Sequence, residues 1–115
     1  MKHTVSLKLN HEFRRLYSKG ASAAVPALAV YCRRNRLGIS RLGLTVGVKL
    51  GHAVRRNRIR RRLREIYRTN EDRLAPGWDV VLVARRRAAF APYRELEQGF
   101  LTLARKLGLM KEGAR

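Results

Sequence analysis

Residues 55–64 read Arg-Arg-Asn-Arg-Ile-Arg-Arg-Arg-Leu-Arg, so seven of ten consecutive positions are arginine. Such a segment cannot lie in a core, because burying unpaired charge costs a large desolvation free energy. Apolar residues nevertheless recur here at the i, i+4, i+7 and i+8 spacing of one helix face, namely Ile59, Leu63, Ile66 and Tyr67. The pattern predicts a helix over residues 53–69 that packs one stripe on a core and exposes its guanidinium groups. Arginine in this setting indicates phosphate, because its planar donor fork matches phosphate oxygens bidentately.

The net charge narrows the class of partner. The 115-residue chain has 27 Lys plus Arg against 8 Asp plus Glu, a formal charge of +19, and 45% hydrophobic residues, enough for a core. We therefore expect a single domain over 1–115 with an ordered core over 7–107. So large a charge repels itself in the free protein, and a polyanion relieves that repulsion. Nucleic acid is the first candidate partner, and an anionic membrane surface is the second.

Cysteine content and hydropathy indicate the compartment. The single cysteine, Cys32, excludes an internal disulfide and fits a reducing environment. The N-terminus lacks the apolar stretch of a signal peptide, and no run approaches the ~20 apolar residues of a membrane span. We therefore expect a cytoplasmic protein.

Hydrophobic periodicity and turn residues predict six main elements in the order α-β-β-α-β-α. They are a helix over 11–18 with Asn10 as N-cap and Gly20 as stop, strands over 27–34 and 42–48, the arginine helix over 53–69, a strand over 78–84 and a helix over 93–107. The remaining segments are expected to be a connector over 21–26, turns over 35–41 and 71–77, a loop over 49–52 and a frayed tail over 108–115. This order predicts an α/β fold. Because a long helix joins the last two strands, a β-α-β crossover with these strands parallel is expected.

The sequence does not contain a recognisable arrangement of catalytic side chains. The serines and histidines are scattered, and none has a carboxylate at an orienting spacing. The Cys and His spacing does not match a zinc site, and Gly43, Gly47 and Gly51 lack the Gly-Lys-Ser/Thr end of a phosphate loop. We therefore expect no catalytic and no metal-binding residues in the protein.

The arginine helix carries the strongest binding signal. On a regular helix, one line of side chains consists of Asn57, Arg61, Arg64 and Arg68. Arg56 and Arg60 lie beside this line. The alternative is a solvated basic face, but such faces normally mix in Glu, and Glu65 is the only acid between 53 and 70.

The aromatic residues allow two interpretations. Tyr67, Trp78 and Phe100 are expected in the core. Phe13, Tyr17 and Tyr31 fit either core packing or a groove in which unpaired bases stack. Periodicity alone leaves both interpretations open for these three residues.

Residues 48–65, Val-Lys-Leu-Gly-His-Ala-Val-Arg-Arg-Asn-Arg-Ile-Arg-Arg-Arg-Leu-Arg-Glu, closely resemble the signature of the bacterial ribonuclease P protein subunit. That signature has a lysine, Gly-x-Ala-Val, Arg-Asn-Arg and then a basic helix. The resemblance extends to Leu7-Lys8 with Phe13, Leu16-Tyr17 and Gly20, and to 45–49 and 79–86. It covers nearly all of 7–107.

The resemblance implies a fold and a function. The fold would be a compact α/β sandwich similar to the second domain of ribosomal protein S5, with a left-handed β-α-β crossover, against the usual right-handed rule. The protein would be the accessory subunit of ribonuclease P. A large catalytic RNA would remove the 5′ leader of precursor tRNA with Mg²⁺, held mainly by RNA and substrate. The single-stranded leader would lie in a groove between the first helix and the sheet, and no organic cofactor is expected.

The resemblance also implies site residues. RNA contacts are expected at Lys49, Arg55, Arg56, Asn57, Arg58, Arg60, Arg61, Arg64 and Arg68. Leader contacts are expected at Phe13, Tyr17 and Tyr31, and also at Arg85 and Arg86. His52 stands where the family often has Asn.

The expected partners are the catalytic RNA and the precursor tRNA leader, with no DNA, no membrane and no homo-oligomer. Three alternatives compete. A small ribosomal protein or RNA chaperone would share the charge but need no leader groove. A DNA-binding protein is disfavoured because Asn57 is almost the only polar base-reading residue on the helix, with no helix-turn-helix spacing. A membrane-surface helix is disfavoured because the apolar stripe is needed for the core.

Overall fold

A computed structural model describes residues 1–111 of the chain. Five strands and three α-helices form it: β1 Thr4–Ser6, α1 Asn10–Lys19, β2 Ala21–Val25, β3 Leu28–Arg34, β4 Ser40–Thr45, α2 Ala53–Asn70, β5 Trp78–Ala84 and α3 Tyr93–Lys106. Short 3-10 helices occupy Val48–Leu50, Glu71–Arg73 and Arg86–Ala89. None of the helices within residues 1–111 combines the length and apolar character needed to cross a membrane.

The five strands form one mixed sheet in the order β1-β4-β5-β3-β2. β4 and β5 are parallel neighbours, paired from Arg41 opposite Asp79 to Thr45 opposite Val83, and α2 connects them along the chain. The predicted β-α-β unit with parallel strands is therefore confirmed, and so is the mixed α/β fold. The handedness of this crossover stays a prediction from the resemblance.

Helices cover both faces of the sheet. α2 and α3 pack on the face that holds the larger core, which includes Val30, Leu82 and Phe100. The predicted apolar stripe of α2 is confirmed, because all four of its members are buried: Ile59, Leu63, Ile66 and Tyr67. α1 packs on the opposite face, where Leu16 meets Val81 in a smaller cluster.

Gly20 allows α1 to end directly against the sheet. A Cβ at this position would lie 2.7 Å from the carbonyl oxygen of Leu16 and 2.8 Å from that of Cys32. Both atoms belong to backbone that cannot move easily. The predicted stop of the first helix is therefore confirmed, and its cause is close packing on β3.

Two strands were missed by the sequence pattern, so the order α-β-β-α-β-α is wrong. The predicted connector over 21–26 contains β2, whose five residues all pair with β3 from Ala21 opposite Cys32 to Val25 opposite Leu28. β1 pairs with β4 in parallel through Thr4, Val5 and Ser6. Small or polar residues in both segments hide the alternation on which a strand prediction depends.

Several boundaries also differ from the predictions. β4 is Ser40–Thr45 instead of 42–48, since the predicted turn over 35–41 contains its first two residues and Val48 belongs to a 3-10 helix. The cap position of α1 is Leu9, and the Asn10 side chain makes no capping hydrogen bond. The tail is not frayed at 109–111, because Leu109 is buried and Lys111 N–H donates to the Arg73 carbonyl at 2.8 Å. The rest of the predicted tail, 112–115, lies outside the described residues.

A buried carboxylate anchors the N-terminus. Glu71 accepts hydrogen bonds from the backbone N–H groups of Lys2 at 2.7 Å and His3 at 3.0 Å, and from the Thr4 hydroxyl at 2.5 Å. Burial opposes the ionised form of Glu71, but these hydrogen bonds outweigh it and hold its pKa below the usual value. Because α2 ends next to Glu71, this contact fixes β1 relative to the arginine helix.

Candidate nucleic-acid interface

The solvent face of α2 is a surface of arginines. Its exposed polar side chains include the predicted Arg55, Asn57, Arg58, Arg61, Arg64 and Arg68, while Arg56, Arg60 and Arg62 are half-buried at its margins. All of these residues project from one rigid helix of 18 residues that is held by its buried stripe. The predicted basic face therefore exists as a continuous surface.

Internal partners occupy only part of this surface. Arg68 pairs with Glu65, Arg60 donates to the Asn57 side-chain oxygen at 3.3 Å, and Arg62 donates to the Ala91 carbonyl at 3.4 Å. Within residues 1–111, Arg58, Arg61 and Arg64 make no ion pair or hydrogen bond through their side chains. Their guanidinium groups remain available to phosphate, which such groups bind bidentately.

Arg56 contains a desolvated donor. Its Nε is buried and has no hydrogen-bond partner among residues 1–111, although the side chain as a whole is only half-buried. A buried donor without a partner costs free energy, which an incoming acceptor would recover. Arg56 lies in the first turn of α2, where the helix dipole also favours an anion.

The loop before α2 brings Lys49 and His52 to the same end of the helix. Lys49 is exposed on the 3-10 helix Val48–Leu50, and His52 is exposed at the cap position of α2 without making a side-chain cap. Gly51 between them has φ of 126°, and a Cβ there would lie 2.7 Å from the Arg55 side chain. The turn therefore requires glycine to place Lys49 beside the basic helix.

A furrow runs between α1 and α2 over the exposed edge of β4. β1 pairs only with Ser40, Arg41 and Leu42, so in the described part of the chain no strand covers this edge of β4 from Gly43 onward. Two adjoining hollows of about 420 and 510 Å³ lie there, and both are lined by Phe13 and Arg60. We call them together the α1 furrow; its other lining side chains include Arg14, Tyr17, Thr45 and Arg64.

Packing fixes the aromatic wall of the α1 furrow. The Phe13 ring lies over Gly43, where a Cβ would come within 2.6 Å of two ring carbons. The Tyr17 hydroxyl is 2.7 Å from the Thr45 hydroxyl, and the Tyr17 ring meets the edge of Tyr31 at a centroid distance of 5.0 Å. These contacts hold the Tyr17 ring in place. The residue is nevertheless 40% exposed, so the ring still reaches solvent.

The predicted leader residues do not all lie together. Phe13 and Tyr17 line the α1 furrow, whereas Tyr31 lies behind Tyr17 and packs with the smaller core cluster. Arg85 and Arg86 follow the end of β5 and are exposed outside the furrow lining; Arg85 donates to the Val25 carbonyl at 3.0 Å. The guanidinium carbon of Arg55 lies 5.9 Å from the centroid of the Phe90 ring, on another side of α2.

The sequence pattern did not reveal how the walls of the α1 furrow come together, and it did not single out every residue of this surface. Arg60 was predicted to bind RNA, but only the structure places it across the furrow from Phe13. Arg14 and Thr45 also line the furrow, although no sequence pattern distinguishes them. Phe90 was passed over, and its signal was an isolated aromatic residue in the basic and small-residue segment 85–92.

Each carboxylate within residues 1–111 has a structural partner. Arg41 pairs with Glu12 and Asp79, Arg68 with Glu65, and Arg87 with Glu95. Glu71 holds the N-terminus, while Asp72 lies 3.8 Å from Lys2 and Glu97 accepts a hydrogen bond from Asn70. Burial raises the pKa of the Cys32 thiol to about 11, so this group is not a thiolate at neutral pH. The described surface is therefore suited to bind polyanions by its arginines.

Comparison with known proteins agrees with this geometry. The family model described as Ribonuclease P matches residues 1–108. The ribonuclease P protein component of Natranaerobius thermophilus is 38% identical over 112 residues, covering 97% of this chain and 97% of that protein. The corresponding protein of Alkaliphilus metalliredigens is 38% identical over 110 residues, covering 96% of this chain and 99% of its own length.

Solved structures give the same result for the fold. The RNase P protein of Staphylococcus aureus superposes with a TM-score of 0.81 at 30% identity, covering 92% of this chain and 97% of that one. The RNase P protein of Thermotoga maritima superposes with a TM-score of 0.79 at 30% identity, covering 87% and 96%. The full-length sequence match and the shared fold together show that the chain belongs to the ribonuclease P protein family.

Proposed function

We propose that this protein is the accessory subunit of a ribonuclease P in which the RNA subunit carries catalysis, and that its α1 furrow binds the single-stranded 5′ leader of precursor tRNA. The leader assignment rests on the side chains that line the two walls of the α1 furrow. One wall has the aromatic rings of Phe13 and Tyr17, and the other has the guanidinium groups of Arg60 and Arg64. Stacking faces beside cations are the usual means of holding unpaired nucleotides.

The aromatic wall supplies contacts that tolerate different leader sequences. Every base has a π-face, so stacking on Phe13 or Tyr17 selects unpaired structure more than base identity. Tyr31 acts indirectly here, because its ring packs edge-on against Tyr17 and helps to fix that ring. Arg60 and Arg64 are placed to contact the leader phosphates from the opposite wall.

The remaining basic surface is assigned to the catalytic RNA and to the tRNA backbone near the cleavage site. This set comprises Lys49, Arg55, Arg56, Asn57, Arg58, Arg61 and Arg68, with Arg85 and Arg86 at the end of β5. The unpaired donors of Arg58, Arg61 and Arg56 support this assignment. A protein of charge +19 between two RNAs reduces their mutual repulsion.

We assign Mg²⁺ to the RNA subunit and the substrate, because the side chains of residues 1–111 offer it no grouped ligands. Carboxylate, carbonyl and phosphate oxygens are the ligands that Mg²⁺ prefers. No carboxylate lines the α1 furrow, and within residues 1–111 no three His, Cys, Asp or Glu side chains are grouped as a metal site. The chemistry would therefore take place on RNA-bound metal, in the cytoplasm where tRNA precursors mature.

Leader binding gives the protein a defined effect on the reaction. Contacts in the α1 furrow lie away from the scissile bond, so they raise affinity for precursor tRNA. Mature tRNA has no leader and gains nothing from them, which helps the product to leave. A small ribosomal protein or RNA chaperone would bind both forms of tRNA alike.

The test is cleavage of a 5′-extended precursor tRNA by a bacterial ribonuclease P RNA at low Mg²⁺, with and without the protein. We expect strong stimulation by the protein and no cleavage by the protein alone. Binding of the holoenzyme to precursor and mature tRNA is then compared. Stimulation without any preference for the leader-bearing form would reject the leader site, and no stimulation at all would favour the chaperone alternative.

A further inference from the structure

An aromatic side chain outside the α1 furrow is unusually open to solvent. Phe90 is 69% exposed, the most of any aromatic residue within 1–111. Its backbone is nevertheless held, since the N–H groups of Phe90 and Ala91 both donate to the Arg87 carbonyl, at 3.0 and 2.9 Å. Ala88 and Ala91 are buried beneath it. A rigid segment therefore presents this ring to solvent.

Exposed apolar and cationic side chains lie near the Phe90 ring or on the elements that adjoin its segment. The Arg55 guanidinium lies 5.9 Å from the ring centroid. Val48 and Val54, at 76% and 74% exposure, belong to the adjoining 3-10 helix Val48–Leu50 and to the start of α2. Apolar side chains left this open beside cationic ones indicate a binding surface.

A second furrow runs from this patch along α2. A hollow of about 320 Å³ lies between Phe90 and the side chains of Arg55, Arg58 and Arg62. It adjoins a hollow beside Val54, which shares Arg55 and Arg58, and another beside Tyr93, which shares Arg58 and Arg62. We call these three hollows the α3 furrow. Its arginine row from 55 to 62 spans about 10 Å along the helix axis.

The two furrows lie on opposite flanks of α2. Arg60 and Arg64 line the α1 furrow, while Arg58 and Arg62 line the α3 furrow. Residues two positions apart on an α-helix point about 200° apart, so the helix itself separates the two sites. A leader strand in the α1 furrow is therefore kept away from Phe90, and both furrows can be occupied at once.

We propose that the α3 furrow is a second single-stranded RNA site, in which an unpaired nucleotide of the catalytic RNA stacks on Phe90 while Arg58 and Arg62 bind its flanking phosphates. The identity of this RNA rests on the proposed function. Nucleic acid is favoured over a protein partner, because Arg55, Arg58 and Arg62 concentrate positive charge beside one exposed ring, and an unpaired base with its flanking phosphates complements both features. The catalytic RNA is the occupant because the leader lies on the other flank.

The test uses binding of the intact protein to a bacterial ribonuclease P RNA in the absence of tRNA. Phe90→Ala is expected to weaken binding about 10-fold, the order of one lost stacked base, with the salt dependence of binding unchanged. Phe90→Tyr, which keeps the π-face, is expected to stay within about twofold. Leu37→Ala is the matched control, because Leu37 is also exposed and lies in the turn between β3 and β4. Circular dichroism checks that each variant is folded.

A second measurement reports stacking directly. Phe90→Trp places an indole at the site, and its fluorescence is expected to be quenched when the catalytic RNA is added. The unsubstituted protein, which contains Trp78, supplies the background signal. Unchanged affinity of Phe90→Ala would overturn the α3 site, and so would the absence of added quenching with Phe90→Trp.

The outcomes separate this inference from the proposed function. If the unsubstituted protein binds the catalytic RNA no better than an unrelated RNA of equal length, both fail. If it binds specifically and Phe90→Ala binds equally well, only the α3 site fails. A change in self-association of Phe90→Ala without loss of RNA affinity would instead identify a contact between protein copies.

Discussion

Arg41 and Asp79 face each other across the parallel strands β4 and β5 and are joined by two hydrogen bonds. Arg41 Nε donates to Asp79 Oδ1 at 2.8 Å, and Arg41 Nη2 donates to Oδ2 at 2.7 Å. The remaining Nη1 pairs with Glu12 of α1. Burial disfavours the Asp79 carboxylate, but hydrogen bonds from Arg41 and Asn35 outweigh it and hold its pKa below the usual value. One guanidinium thereby ties the helix that bears Phe13 to the centre of the sheet.

Replacing Asp79 with Asn is expected to destabilise the protein by about 2 kcal/mol, because a charge-assisted pair with little exposure is lost and Arg41 is left partly unpaired. Urea unfolding at neutral pH measures the change. Glu95→Gln is the control, since it removes a more exposed pair with Arg87 and should have a clearly smaller effect. Equal losses for both variants would show that the Arg41–Asp79 pair has no special role.

Glu71 makes stability depend on pH. Its pKa is lowered in the folded protein, so its stabilising contribution is present above the unfolded pKa of about 4.3 and is lost as pH falls through the folded pKa. Glu71→Gln should therefore unfold at a lower urea concentration than the unsubstituted protein near pH 7. The difference between the two urea midpoints should shrink toward about pH 3. Asp72→Asn serves as the control, because its pair with Lys2 is exposed. A difference that does not change with pH would contradict the assignment.

The double substitution Arg58→Ala with Arg61→Ala, at two exposed arginines without side-chain partners among residues 1–111, should weaken binding to ribonuclease P RNA and flatten its salt dependence. Each lost phosphate contact is expected to remove roughly 0.7–0.9 from the slope of log affinity against log salt. The matched control is Arg105→Ala with Lys106→Ala, which removes the same charge from exposed positions at the end of α3. If both double variants reduce the slope equally, general charge accounts for binding and the α2 face has no specific contacts.

Phe13→Ala should lower affinity for precursor tRNA more than for mature tRNA, because the α1 furrow loses a stacking face. The expected loss for the precursor is about 1–3 kcal/mol. Equilibrium binding of both tRNAs to the holoenzyme measures the difference. Phe13 also packs on Gly43, so thermal unfolding must show that the variant is folded at the assay temperature. Equal losses for the two tRNAs would indicate a core role only.

Gly43→Ala tests the same wall without removing an aromatic residue. The new methyl group would lie 2.6 Å from the Phe13 ring, and the ring is the movable partner. We expect the ring to shift and the preference for precursor over mature tRNA to fall, though less than in Phe13→Ala. Gly47→Ala, whose added methyl group meets nothing within 4 Å, is the control. If Gly43→Ala keeps the preference for precursor over mature tRNA, the position of the Phe13 ring does not determine leader binding.

Local patterns predicted much of this molecule because they report on single elements. The buried stripe of α2 follows from 3.6-residue periodicity, and β5 follows from its apolar run. The parallel pairing of β4 with β5 follows from the length of the helix between them. β2 was missed because Ala-Ser-Ala-Ala-Val has little strand character alone and gains its structure by pairing with β3.

The sequence by itself determined that one helix is held by an apolar stripe and covered with arginines, and it indicated a polyanion as the partner of that helix. It also determined the family, through the segment from Lys49 to Arg64. Only the tertiary structure decided that Arg60 faces Phe13 across an uncovered strand edge, that Tyr31 stands behind Tyr17, and that Phe90 is open to solvent. The reason is physical: periodicity shows which face of an element is buried, whereas the residues that meet across a furrow belong to elements brought together by long-range packing.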